Sequence, residues 1–176
     1  PQLRAPITAI YHFARTADDL ADEGTASRDE RLAALRRYRH ALEAASRQSP
    51  PGEWPQVFAL LQRQLVQCQL PLNLLHDLLD AFEQDCGNPI YDDRQQLTHY
   101  CQRSANPIGR LLLHLYGVSD ELALQQSDAI CTALQLINFW QDPSVDLPRG
   151  RSYFTKQDLA RHGLTTADVL RGSDTA

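Results

Sequence analysis

Methionine is missing from all 176 residues, and the chain opens at Pro1 inside a segment that already reads as helix. The expectation is a piece of a longer protein, a single partial domain over residues 1–176 that lacks both termini. Basic excess is missing too: 17 Lys and Arg against 22 Asp and Glu give a formal net charge of −5, with no run of like charges. A nucleic-acid surface needs a basic patch to displace counterions, so nucleic acid is excluded as a partner. No apolar stretch approaches the ~20 residues that cross a bilayer, and no charged-then-apolar leader is present. The visible part is expected to be soluble, with the cytoplasm as the default location and peripheral membrane contact left open. The four cysteines, Cys68, Cys86, Cys101 and Cys131, have no Cys-x-x-Cys spacing. They fit small buried thiols in a reducing compartment better than zinc ligands or disulfides. The six histidines have no mutual zinc spacing either. A glycine-rich phosphate loop, a nucleotide fingerprint and a serine or cysteine nucleophile motif are all absent, which leaves a nicotinamide-dependent reduction unsupported.

Strand signals are lacking as well: no run of β-branched residues alternates as a half-buried strand would. Apolar residues instead recur at helical spacing almost throughout, and the fold class is all-α. The spacing predicts helices over residues 2–23, 28–47, 54–69, 71–86, 93–117 and 120–142, with short helical turns after 156 and 165. Gly24 closes the first helix, and Ser27 with Glu30 forms a capping box for the second. Ser49-Pro50-Pro51-Gly52 breaks the chain before the third, and Pro71 and Gly87-Asn88-Pro89 bound the fourth. The short connections predict antiparallel neighbours in one bundle.

Two polar stripes stand out on these helices. Ile7, Tyr11, Arg15, Asp18 and Asp22 follow steps of three or four along one side of the first, which begins apolar and ends in two carboxylates. Carboxylates four apart repel by a few tenths of a kcal/mol, and near a helix C-terminus they also oppose the macrodipole. A cation relieves both penalties. In Ile130–Asp142 the helix is apolar on most sides, yet Gln135, Asn138 and Asp142 make one polar line that Asp146 continues. Burying such groups without partners costs roughly 1–3 kcal/mol each, so the line implies a polar cavity.

The pairs Asp18/Asp22 and Asp142/Asp146 thus predict two acidic helices facing each other and binding divalent cations. Mg²⁺ prefers carboxylate oxygen, keeps several waters, and is usually held by one or two carboxylates together with substrate phosphates. Arg15, Arg149 and Arg151 supply phosphate contacts in this reading. The acidic set Asp77, Asp80, Glu83 and Asp85 reads most simply as a solvated face of the fourth helix. Pro143 disfavours the α conformation at Asp142, so the expectation is a kink or an end there, with Asp146 in a turn.

The pattern Arg15-x-x-Asp18-Asp19-x-x-Asp22-Glu23, then Tyr100-Cys101, then Gln135-x-x-Asn138-x-x-x-Asp142-x-x-x-Asp146 and Arg149-Gly150-Arg151-x-Tyr153-Phe154 resembles the squalene/phytoene synthases. The resemblance implies an isoprenoid synthase helical bundle, incomplete at its C-terminal side because such proteins continue for further helices. It also implies Mg²⁺ on Asp18, Asp22, Asp142 and Asp146, holding a prenyl diphosphate. Tyr100 aligns with the family's functional tyrosine and Arg15 with its diphosphate-contacting arginine. Asp19, Gln135, Asn138, Arg149 and Arg151 join the substrate-binding set, and Asp18 and Asp22 the catalytic one.

Phe13–Asp19, Ser104–Arg110 and Asn138–Asp142 look most like the bacterial hydroxysqualene synthase branch, which converts presqualene diphosphate to hydroxysqualene. A presqualene diphosphate synthase before it and a flavoprotein reductase after it are the pathway partners this implies. A carbocation needs aromatic faces, for which Tyr11, Phe13, Tyr100, Phe139 and Trp140 are candidates. Two alternatives remain: a head-to-head synthase condensing two prenyl diphosphates, and a non-catalytic helical assembly protein of the same fold.

Overall fold

The structure is a computed structural model that describes residues 3–141 and 143–172. Every regular element among them is helical. Helix α1 (Arg4–Asp22) buries Pro6, Ala9, Ile10, Phe13, Ala17 and Ala21, an i, i+3, i+4 stripe that leaves the Arg15–Asp18–Asp22 side free for the site. Helix α2 (Arg28–Ser46) starts with the expected capping box, in which Ser27 accepts from the Glu30 backbone and Glu30 accepts from the Ser27 backbone. The Arg31 guanidinium reaches back to the carbonyls of Ala21, Gly24 and Ala26. It satisfies acceptors that the end of α1 would otherwise leave unpaired.

Helices α3 (Pro55–Gln67) and α4 (Leu72–Asp85) complete the first core. Tyr38 is fully buried at its centre, packs against Phe13, Trp54 and Phe58, and donates its hydroxyl to the Phe13 carbonyl at 3.1 Å. That hydrogen bond locks α2 to the middle of α1, two turns before the acidic stripe.

The helix expected over 93–117 is two helices, α5 (Arg94–Ser104) and α6 (Asn106–Leu115). Pro107 lacks an N–H and biases Asn106 away from the α conformation, and the chain breaks at Ala105. Helix α7 (Glu121–Gln141) lies on α6 at Gly109, where an added Cβ would sit 2.4 Å from Ser127 Oγ and 2.6 Å from Cys131 Sγ. Two side-chain pairs fix that crossing, Arg110 with both oxygens of Asp128 and Thr132 with Asn106. Phe139 alone among α7 residues is buried, while Leu122, Ile130, Leu134, Ile137 and Trp140 are exposed.

After α7 comes the short helix α8 (Pro143–Asp146), a single helical turn that ends at Asp146, in line with the expected turn there. Proline at the first helical position loses only an N–H that has no intrahelical partner, which is why Pro143 starts a helix here. A 3₁₀ turn over Leu147–Arg149 then leads into residues 151–155. These carry buried Ser152 and Thr155 back toward α5, where the Lys156 and Gln157 amides bond the Tyr91 and Asp92 carbonyls. Helices α9 (Lys156–Arg161) and α10 (Thr166–Leu170) are the turns expected after 156 and 165, each capped by a threonine. The returning strap of residues 151–155 delivers Arg151 and Tyr153 to the cleft beside α1.

Candidate active site

The end of α1 borders a cleft of about 330 Å³ whose walls come from α1, α4, α5, α7 and the returning strap. Arg15, Asp18 and Asp22 line it from α1, as the stripe predicts. Arg15 pairs with Asp18 at 3.0 Å and with Asp19 at 2.8 Å, all three being substantially exposed. Burial pushes the Asp18 carboxyl above the ordinary carboxylate range, and the neighbouring Asp22 charge pushes it further in the same direction.

Asp22 is held across the cleft by Arg151 in a two-pronged ion pair, one arm of which measures 2.6 Å. Arg149 stands farther off, at 3.8 Å. The Asp22 bond raises the Arg151 guanidinium above its usual value. Residues 129 apart in the chain are thereby joined. The Arg151 Nε also approaches the Asn88 side chain at 3.4 Å, and the Asn88 amide donates to the Arg149 carbonyl. Behind this pair opens a polar cavity of about 410 Å³ walled by Arg28, Arg31, Asn88 and Arg149.

Tyr100, on α5, is buried in the cleft wall and donates its hydroxyl to Asp85 Oδ2 at 2.8 Å. Gln135 faces the cleft from α7, but Asn138 is exposed and is not part of its lining. Asp146 is half-buried on α8 and Arg149 borders the neighbouring cavity; neither lines the cleft. Asp142 lies outside the described residues. Of the aromatic candidates, Tyr11 lines the cleft although 61% exposed, and Phe13 belongs to the first core. Phe139 stacks on Tyr153 with centroids 3.6 Å apart, and Trp140 borders a separate apolar groove beyond Tyr153.

The acidic face expected on α4 is corrected. Asp80 and Glu83 grip Arg39 of α2 at 2.6 and 2.9 Å, Asp77 is half-buried, and Asp85 is buried at 9% exposure with its carboxyl in the cleft wall. A signal was present: Leu74, Leu78, Ala81 and Asp85 follow steps of four, three and four, so Asp85 ends the buried stripe of α4. Burial pushes the Asp85 carboxyl up to about 7, against the Tyr100 hydrogen bond, which favours its charged form. Phe82 also lines the cleft without having been singled out, and Tyr153, marked in the sequence only as part of the family pattern, lines it too. Tyr153 sits on the strap, where no helical periodicity marks an inward position.

The model for squalene/phytoene synthases matches residues 1–176. The chain belongs to the squalene/phytoene synthase family. Hydroxysqualene synthase of Zymomonas mobilis is 36% identical over 174 residues, covering 97% of this chain and 56% of that protein. Presqualene diphosphate synthase of the same organism is 30% identical over 165 residues, covering 93% of this chain and 55% of that one. Among solved structures, squalene synthase HpnC from Alicyclobacillus acidocaldarius superimposes with a TM-score of 0.81 at 36% identity over 94% of this chain and 62% of that one. A dehydrosqualene synthase in complex with ligand gives 0.78 at 28% identity, over 93% and 56%. The chain therefore spans little more than half the length of the curated relatives it matches, and its helices are those of an isoprenoid synthase bundle.

Proposed function

We propose that this chain carries the diphosphate-ionising site of a hydroxysqualene synthase acting on presqualene diphosphate. The observation that carries the reading is the Asp22–Arg151 pair. It brings the acidic end of α1 and the basic segment after α7 to one cleft, together with Tyr100 and Gln135. Greater identity to hydroxysqualene synthases, at 36% and 35%, than to presqualene diphosphate synthases, at 30% and 31%, supports this branch over head-to-head condensation.

Asp18 and Asp22 are hard oxygen donors one turn apart, and both line the cleft. They fit Mg²⁺, which needs only one or two carboxylates when a diphosphate completes its shell. Asp142 and Asp146 are the donors assigned to the second motif. The metal, when bound, supplies Lewis-acid charge to the leaving group.

This chain's own residues do the rest. Arg15 and Arg151 hold phosphate oxygens in the cleft and Arg149 reaches them from the neighbouring cavity, with Asp19 keeping the Arg15 guanidinium over the cleft. Gln135 orients the substrate from the α7 side. The C–O bond breaks with its electron pair leaving on the diphosphate. Tyr100 and Tyr153 present ring faces to the cyclopropylcarbinyl cation while it rearranges. Water then adds and releases a proton, and the alcohol forms. A presqualene diphosphate synthase supplies the substrate in this reading, and a flavoprotein reductase consumes the product.

The test is incubation of the full natural protein with Mg²⁺ and presqualene diphosphate or farnesyl diphosphate, with products read by gas chromatography and mass spectrometry. Hydroxysqualene from presqualene diphosphate, abolished by Asp18→Ala, is the expected result. A condensation product from the shorter substrate would move the protein to the head-to-head branch. No turnover of any prenyl diphosphate would leave a helical assembly protein.

A further inference from the structure

Asp85 is the least comfortable group in the cleft. It sits at the last residue of α4, where the helix dipole already disfavours negative charge. It is 9% exposed, and burial acts to raise its carboxyl. Its Oδ2 accepts the Tyr100 hydroxyl at 2.8 Å, and its Oδ1 has no hydrogen-bond partner among the described residues. The Leu74–Leu78–Ala81 stripe it completes would be finished by any apolar side chain without desolvating a charge. A carboxylate at such a position, bonded from α4 to a cleft tyrosine on α5, is a candidate functional group.

We infer that Asp85 is a positioning residue for the carbocation step, acting through Tyr100 as a buried anion–phenol dyad that sets a negative potential on one wall of the cleft. The inference rests on the proposed ionisation of a prenyl diphosphate. Because the Tyr100 proton is committed to Asp85, the phenol does not offer it as a donor toward the cation. The oxygen lone pairs and the ring face are left for the cleft. Asp85 and Tyr100 are themselves buried, so their interaction is weakly screened. No proton moves and no bond to the dyad forms. The only bond broken is the substrate C–O, whose electrons go with the diphosphate.

The charges bearing on Asp85 are Arg151, which favours its ionised form, and Asp22 and Asp18, which oppose it. Tyr91 and Tyr153 are neutral neighbours whose own hydroxyls burial holds above the usual range. Burial acts to raise the Asp85 carboxyl, and protonation removes the anion of the dyad, so turnover falls on acidification.

The experiment is steady-state turnover of presqualene diphosphate by the full natural protein with Mg²⁺ across pH, for the wild type, Asp85→Asn, Tyr100→Phe and the double variant. The expected Asp85→Asn result is a fall in kcat of about 100-fold, the scale of losing one preorganised electrostatic group. KM and the half-saturating Mg²⁺ concentration stay within about threefold, a split that a direct binding or metal role would not give. The acidic limb of the wild type disappears, and the double variant is no worse than either single one, because the two act as a unit.

If Asp85→Asn has no cooperative melt, Tyr100→Phe carries the test and must lose the same acidic limb. Wild-type kcat in Asp85→Asn, or a loss that appears as weakened Mg²⁺ activation, overturns the inference, as does an acidic limb that survives in the variant. A wild-type protein that turns over no prenyl diphosphate sinks the functional reading and the inference with it. Failure of the variant alone leaves the functional reading standing.

Discussion

Removing the Arg151 guanidinium leaves Asp22, with 15% side-chain exposure, facing the cleft without its two-pronged partner. Breaking one half of a largely buried pair costs about 3 kcal/mol. Arg151→Met is therefore expected to lower unfolding stability by about that much in a urea titration, and Arg151→Lys to recover only part, since an ammonium cannot make both bonds. Asp85 acts in the opposite sense. Its folded pKa is raised, so its contribution is fully present below the unfolded value of 3.8 and is lost as pH rises through about 7. Asp18, also raised, adds to the same trend. Asp85→Asn should flatten the decline in stability between about pH 4 and 7, which thermal melts across that range will read. Tyr38→Phe removes the hydroxyl that serves the Phe13 carbonyl inside the first core, and chemical denaturation should show a loss of about 1 kcal/mol with the helix content unchanged.

Helix boundaries were legible wherever local chemistry decided them. The Ser27–Glu30 box and the Ser49–Gly52 break both mark ends that the structure keeps. The break at Ala105 was also written locally, in Asn106-Pro107, but the apolar periodicity runs through it from Leu97 to Leu115 and hides it. The α6–α7 crossing tests the opposite case, in which the partner is distant. Gly109→Ala places a Cβ against Ser127 and Cys131 and should cost about 1–3 kcal/mol by overpacking. Ser127→Ala removes the nearer atom, so the double variant is expected to lose less than the sum of the two changes in a double-mutant cycle. A fully additive result would mean that α7 shifts as a whole instead of pressing on one contact.

Across the whole molecule, the two acidic stripes fare differently. The α1 stripe lies over the cleft because its opposite side, Ala9 to Ala21, is covered by α3 and α4. Helix α7 buries only Phe139, and Ile130, Leu134 and Ile137 stay exposed along its outer side. A polar line on a helix apolar all round predicted a cavity, and Gln135 does face one, whereas Asn138 does not. Which side of α7 is inward is a matter of what packs on it, and its own pattern is equally apolar on both.

The sequence by itself determined the helical class, most helix ends, the family pattern and the side of α1 that carries Arg15, Asp18 and Asp22. These follow from spacing along one helix or from caps within four residues, and such signals need no partner. Tertiary structure alone decided that Arg151 grips Asp22, that Tyr153 lies in the cleft wall and that Asp85, outwardly one acid among four, holds Tyr100. Those contacts join residues from separate elements, and whether a carboxylate is solvated, paired or buried depends on which neighbour the fold brings to it.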